Sequence, residues 1–457
     1  MKRVVVHIFV TLGLLCAGSA GLGQDPSGDG LDSPAAAGQE QVAPFDELAP
    51  RIEQPALDFG GPVLSRQYLS GDWLGTRDRL AAEGITLDVY LTQFFQGVAA
   101  GGIDQAFKYG GKVDYFLKFD GDKSGNWEGF SASMHTETRY GEDVNASDGM
   151  ISFGNFNMAF PKAGKTATGI TAVNLVQALS DDLTVFTGKM NSLDDFVLNF
   201  TGRNGIDRFM NSAAVANIIN ARTVPYSTYG AGLTVLRDKE PFLMFVVRDP
   251  DNHATTLDLD RLFANGVLLS GTAKILVTPG GLLGHQNFGI NWSSRKYTSV
   301  DPSSVASIPG QGVVAAQESG SWAVWYNFDQ YLWVSPSNPD VGWGVFGMSG
   351  LSDGNPNPIR WNGTLGIGGN SLIPGRERDN FGVACFYIGL SSEFKNLLAG
   401  PFAPPGLAQR DERGVDLFYN VAFTPWCHLT GDLQVVTPST ARLDTTVLAG
   451  LRMKISF

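Results

Sequence analysis

The sequence predicts an all-β protein built as a transmembrane antiparallel β-barrel. Three observations carry this. From Ile85 onward, apolar and polar residues alternate in runs of about ten, the length of a tilted membrane-spanning strand. The polar faces carry charges in mid-strand, such as Glu137 and Arg139, which a wet lumen tolerates and a sandwich core does not. The alternation continues to the last residue: Ala449, Leu451, Met453, Ile455 and Phe457 share one face, and Arg452, Lys454 and Ser456 the other. A soluble sandwich with a solvated outer face is the competing reading of the mid-strand charges.

The chain has 457 residues and opens on a segment built for export. Lys2 and Arg3 precede an apolar run, Val4–Ala17, and Gly18-Ser19-Ala20 offers a small-residue cleavage site. This reads as a secretory signal peptide over residues 1–23. A lipoprotein signal using Cys16 is the rival, disfavoured by Leu15 where a small residue belongs. No later segment has the roughly 18 uninterrupted apolar residues of a membrane helix. Residues 24–65 are rich in Pro, Ala, Gly and acids, and read as a flexible acidic linker. They hold eight acids and one Arg, a net of −7 within a chain total of −12. So acidic a chain argues against a nucleic-acid partner, which selects a basic face.

Residues 66–84 are expected to form a short helix. Asp72 suits an N-cap, and Trp73, Leu74, Leu80 and Ala81 share one side at helical spacing. Gly84 supplies a left-handed stop. From Ile85 the period becomes two, with Ile85, Leu87, Val89 and Leu91 on one face. "KVDYFLKFDG" sets Val113, Tyr115, Leu117 and Phe119 against Asp114, Phe116 and Lys118. "GFSASMHTETRYG" sets Phe130, Ala132, Met134 and Thr136 against Ser131, Ser133, His135, Glu137 and Arg139. "SWAVWYNFDQYLWV" and "VDLFYNVAFTPW" repeat the design. Trp, Tyr and Phe near strand ends read as interfacial girdles rather than ligand platforms. The 373 residues from Ile85 to Phe457 allow about 16–18 strands, enough to enclose an aqueous channel.

Fragments of the chain, taken in order, resemble the carbohydrate-selective outer-membrane porins of the OprB type. They are "SGDWLGTRDRLAAEGITLDVYL", "AVNLVQALSDDLTVFTGKMNSLDDF", "FMNSAAVANI…VPYSTYGAGLTV", "RERDNFGVACFYIGLS" and "DLFYNVAFTPWCHLTGDLQVVTPS". The likeness covers roughly Leu69 to Phe457. Asp416, where members often carry Glu, and "VVTPST" are departures, and the acidic linker has no counterpart. The resemblance implies a 16-stranded barrel with inward-folded loops that passes glucose and related saccharides by diffusion. It also implies outer-membrane lipid as surroundings and recognition of the terminal strand, through Phe457, by the barrel-assembly machinery. Monomer and trimer both stay open. A general or ion-preferring porin, and a surface or periplasmic carbohydrate-binding β-protein, are the alternatives.

Candidate pore residues are Glu137 and Arg139 on one polar face, and Arg203, Arg208 and Arg222 in "FTGRNGIDRFMNSAAVANIINARTVPY", a long insert placed to fold inward. Ordinary lumen ion pairs are the plainer role for each. His135, His253, His285 and His428 show no metal spacing, so neither metal nor cofactor is expected. Asp181-Asp182 and Asp194-Asp195 read as turn acids, and no paired catalytic constellation marks an enzyme. Cys385 and Cys427 are either a disulfide or two small apolar fillers.

Overall fold

The computed structural model describes residues 61–457, except 162–164, 195–197, 309–311 and 402. The expected leader, 1–23, and most of the expected linker lie outside the described residues. The first strands are β1 (Ile85–Ala100), β2 (Phe107–Asp120), β3 (Phe130–Gly141), β4 (Thr166–Ser180), β5 (Leu183–Asn191) and β6 (Ser227–Arg237). Then come β7 (Glu240–Arg248), β8 (Leu268–Val277), β9 (Gly284–Thr298) and a small hairpin of β10 (Val305–Ile308) and β11 (Gly312–Ala315). The rest are β12 (Gln317–Ser335), β13 (Asn338–Ser352), β14 (Ile359–Asn370), β15 (Asn380–Leu390), β16 (Glu412–Thr424), β17 (Cys427–Thr437) and β18 (Thr446–Ser456).

All but β10 and β11 form one closed antiparallel barrel of 16 strands, sealed where β1 pairs with β18. Closure leaves no unpaired edge, the condition for a sheet to exist in lipid. The alternation sorts the faces as the sequence requires. Leu117, Leu175, Phe245, Ile290, Leu365 and Leu451 are exposed on the outer wall. Lys112, Asp114, His135, Glu137, Asp416 and Arg452 are buried on the inner one. Connections alternate in length. Tight turns such as 181–182, 238–239 and 425–426 lie at the end shared with the N-terminal helix, and the long loops lie at the other. Outward Trp292, Trp322 and Trp361 sit toward the loop end, and Trp127 and Trp333 toward the turn end. Trp325 departs from the girdle expectation: it is buried inside, over Gly289.

The N-terminal helix spans Thr76–Ala82 and begins later than the sequence suggested. Trp73, Leu74 and Gly75 have positive φ and form a turn, and Leu74 is fully exposed, so it does not share the helix's packed side. Asp72 still serves the helix start by accepting the Asp78 amide at 3.1 Å. Gly84 has φ +84°, the left-handed stop expected of it. Arg77 fastens the segment to the barrel seam. Its guanidinium lies over the rings of Tyr68 and Trp73, stands 3.8 Å from Asp88 on β1, and donates to the Phe457 main-chain oxygen at 2.7 Å. Cys385 and Cys427 are both free.

Candidate functional site

Side chains of β2 and β3 that share the inner face build one polar cluster. The register sets Asp114 opposite Glu137 and Phe116 opposite His135. The Lys112 ammonium contacts the Glu137 carboxylate and lies 3.8 Å from Asp114. His135 bridges two acids, with Nε2 at 3.0 Å from Asp114 and Nδ1 at 2.8 Å from Asp194. The Tyr226 hydroxyl donates to Glu137, and Asn191 Nδ2 reaches the same carboxylate at 3.3 Å. Buried charges persist only when paired in this way. Asp114, His135 and Glu137 stand close enough together to hold a metal ion, but the Lys112 ammonium already supplies the cation among them.

Asp194 and Tyr226 lie near the two ends of the connection between β5 and β6, so this cluster pins both ends of loop 192–226 to one patch of wall. Between those ends the loop runs across the lumen. Asn199 donates to Asp329 of β12 at 2.8 Å. Arg452 of β18 donates to the Gly205 and Arg208 carbonyls, both at 2.8 Å. Asp416 of β16 accepts the Asn211 amide at 2.9 Å, and the Asn211 side chain reaches Gln434 of β17 at 3.0 Å. Asn217 bonds Asn327 of β12, and Asn291 of β9 donates to Asn220. The loop has its own apolar core, with Phe209 packed against Phe346 and Phe418 of the wall.

A second loop, after β3, lies beside the first. Glu412 accepts the Ile151 and Ser152 amides at 2.8 and 2.9 Å. Gln96 and Gln434 both donate to the Gly154 carbonyl. Phe160 stacks on Tyr226 at 4.6 Å between centroids. Two inward loops thus pack inside the barrel against its wall.

The sequence matches the family described as carbohydrate-selective porin, OprB family, over residues 104–457. The chain belongs to this family. Among solved structures, it is similar to the high-pH structure of Pseudomonas putida OprB, with a TM-score of 0.72 and 18% identity over 87% of this chain and 100% of that one. The low-pH structure of the same protein gives a TM-score of 0.52 and 15% identity over 86% and 99%. No curated protein sequence matches it. Family and fold together make it a sugar-selective porin of the outer membrane and point to a transport channel.

Within this porin the five candidate residues separate. Glu137 is fully buried and taken up by Lys112, Tyr226 and Asn191, which makes it a fastener of the loop rather than a lumen surface. Arg139 is buried and pairs with Asp143 at the start of the second loop. Arg203 is buried with its guanidinium 5.9 Å from the centre of the Phe116 ring. Arg222 is buried, lies over Tyr297 at 4.9 Å and donates to the Thr298 carbonyl. Arg208 differs in being half-buried.

Arg208 is brought close to groups the sequence did not single out. Its charge acts on Tyr331 of β12, whose ring meets Phe200 edge-on at 4.9 Å. Asp329, two residues before Tyr331 on the same inner face, holds Asn199 and stands 2.9 Å from His285 Nδ1. Their inward parity was readable from "NFDQYLW". Their meeting with Arg208 was not, because loop 192–226 brings it. Asp194 is likewise no free turn acid, since His135 holds it.

Proposed function

We propose that neutral mono- and oligosaccharides such as glucose cross this porin by passive diffusion past the edge of loop 192–226, where Arg208 faces Tyr331 and Asp329. A weak sugar site needs hydrogen-bonding groups that compete with water and an apolar ring face for the sugar's C–H surface, held loosely enough to release. Arg208 offers a half-buried guanidinium and Tyr331 a half-buried ring, while the buried Asp329 holds Asn199 and His285 beside them. The observation that carries the reading is the half-buried Arg208, on a loop fixed at both ends to the opposite wall.

In planar bilayers the wild type is expected to give stable conductance steps that glucose or maltose partly blocks. Arg208→Gln should weaken that block while leaving the steps in place. Conductance indifferent to every sugar in both proteins would make this a general or ion-preferring channel. We further propose that residues 1–23 are removed as a leader, that 24–65 act as a linker, and that the assembly machinery reads the strand ending in Phe457. Monomer and trimer are both compatible with the fold.

A further inference from the structure

The membrane-facing wall carries a trough that the passage of sugar does not use. On β13 and β14 the outward positions Gly347 and Gly363 have no side chains, and the registers Gly347–Leu365 and Ser349–Gly363 set them diagonally. The Phe328 ring lies over Gly347, where a Cβ would fall 2.4 Å from it, so the open floor is Gly363. Tyr326, Phe328, Leu365, Cys385 and Tyr387 stand around this floor and line an open apolar groove of about 410 Å³. That lies within the range of about 300–1,000 Å³ typical of small-molecule sites. Braced rings form its two walls. Phe288, Tyr326 and Phe328 follow one another at 4.9 and 5.9 Å on one side. Trp361 and Tyr387 stack at 4.8 Å and 10° on the other. Trp361 also lies across Gly389, where a Cβ would fall 2.2 Å from Nε1, so this ring leans away from the floor and leaves it open.

The groove points toward the long-loop end of the barrel, which faces outward in such proteins. There Arg413 pairs with Tyr387 in the register of β15 and β16. Arg413 is exposed and makes no hydrogen bond or ion pair among the described residues. Asp411, two residues before it, is already held by Lys395 at 2.9 Å and by the Tyr387 hydroxyl at 2.9 Å. An apolar trough in the hydrocarbon band accepts a flexible chain. A free guanidinium beside Tyr387 selects an anionic oxyacid such as phosphate.

We infer that this wall binds one phosphate-bearing lipid of the outer leaflet, with an acyl chain over Gly363 between Phe328 and Tyr387 and its phosphate at Arg413. The inference rests on the membrane placement of the porin and is independent of which sugar the lumen passes. Gly363→Phe fills the trough, and it does so without strain: a Cβ there meets only Trp361, at 3.9 Å. Arg413→Gln removes the phosphate partner and leaves the trough intact, so it tests the site even if the first variant assembles poorly.

The probes are diphosphoryl lipid A and its dephosphorylated counterpart, added to the detergent-solubilised full chain and read by native mass spectrometry. Wild type should retain one diphosphoryl lipid. Arg413→Gln should lower its affinity about tenfold and abolish preference over the dephosphorylated form. Gly363→Phe should lose both lipids, and Cys385 in the wild type should become slower to label with a maleimide as lipid is added. Equal retention by wild type and both variants overturns the site. So does a variant that changes the oligomeric state instead of lipid retention, which would make a second copy the occupant. Loss of sugar block with lipid retention intact would strike the proposed sugar passage and leave this site standing.

Discussion

Replacing Arg452 by Met tests whether the inward loop is held by the wall at the place where it narrows the lumen. Arg452 is 1% exposed, and its guanidinium donates to the Gly205 and Arg208 carbonyls at 2.8 Å and to Thr430 at 2.9 Å. It also faces Asp207, Asp416 and Asp432, which the substitution would leave without their cation. Hydrogen bonds to a charged group contribute about 1.5–3 kcal/mol each, so three give an upper bound of about 4.5–9 kcal/mol. Breaking one partner of a buried charge network costs about 3–5 kcal/mol in measured cases, and we take that lower figure. It lowers the docked-to-undocked ratio of the 203–210 segment roughly a hundred- to several-thousand-fold. Single-channel recording should then show larger, noisier steps with weaker block by maltose. Hydrogen exchange should show lost protection in 203–210 while strand amides keep theirs. Wild-type conductance, block and protection in this variant would refute the claim that Arg452 positions the constriction.

The other outcomes concern assembly and the outer loops. Gly84→Val should reduce the heat-modifiable, folded fraction on gels, because its φ of +84° costs an L-residue about 1–2 kcal/mol and its Cβ would fall 2.3 Å from the Asp120 carbonyl oxygen. The channels that do form should keep wild-type sugar block; normal assembly with altered block would instead place this segment in the passage. His253, in the loop after β7, sits 3.3 Å from both Asp249 and Asp258 and beside the Tyr229 ring. Burial works against its charged form, but the two carboxylates outweigh it and raise its pKa. A raised His pKa gives stability that is complete below the ordinary value of about 6.5 and is lost as pH climbs through the folded value. Amide protection in 249–266 should therefore fall as pH rises through neutrality and above, and His253→Gln should flatten that dependence; protection that rises with pH would contradict it.

The faces of the strands, the left-handed stop at Gly84 and the closed all-β architecture were legible in the sequence. They depend on local rules: a period of two, the steric freedom of one glycine, and the inability of an open sheet edge to survive in lipid. The resemblance added inward loops, and the insert containing Arg203, Arg208 and Arg222 does fold inward. What each of these residues does there was not legible. Glu137 and Asp329 both carry an acid on the inner face. Glu137 is sealed because Tyr226, far along the chain, returns to cover it, whereas Asp329 is covered by Asn199 of the same loop and by His285 of β9. Asp416, a departure from the family pattern, is an acceptor for the Asn211 amide of the loop. The open floor at Gly363 lies between Phe328 and Tyr387 only because the registers of β12 to β15 set these residues around it. Alternation fixes which way a side chain points. Whether it then meets water, lipid or another segment depends on contacts between residues distant in sequence, and those are set only when the barrel closes and the loops pack inside it.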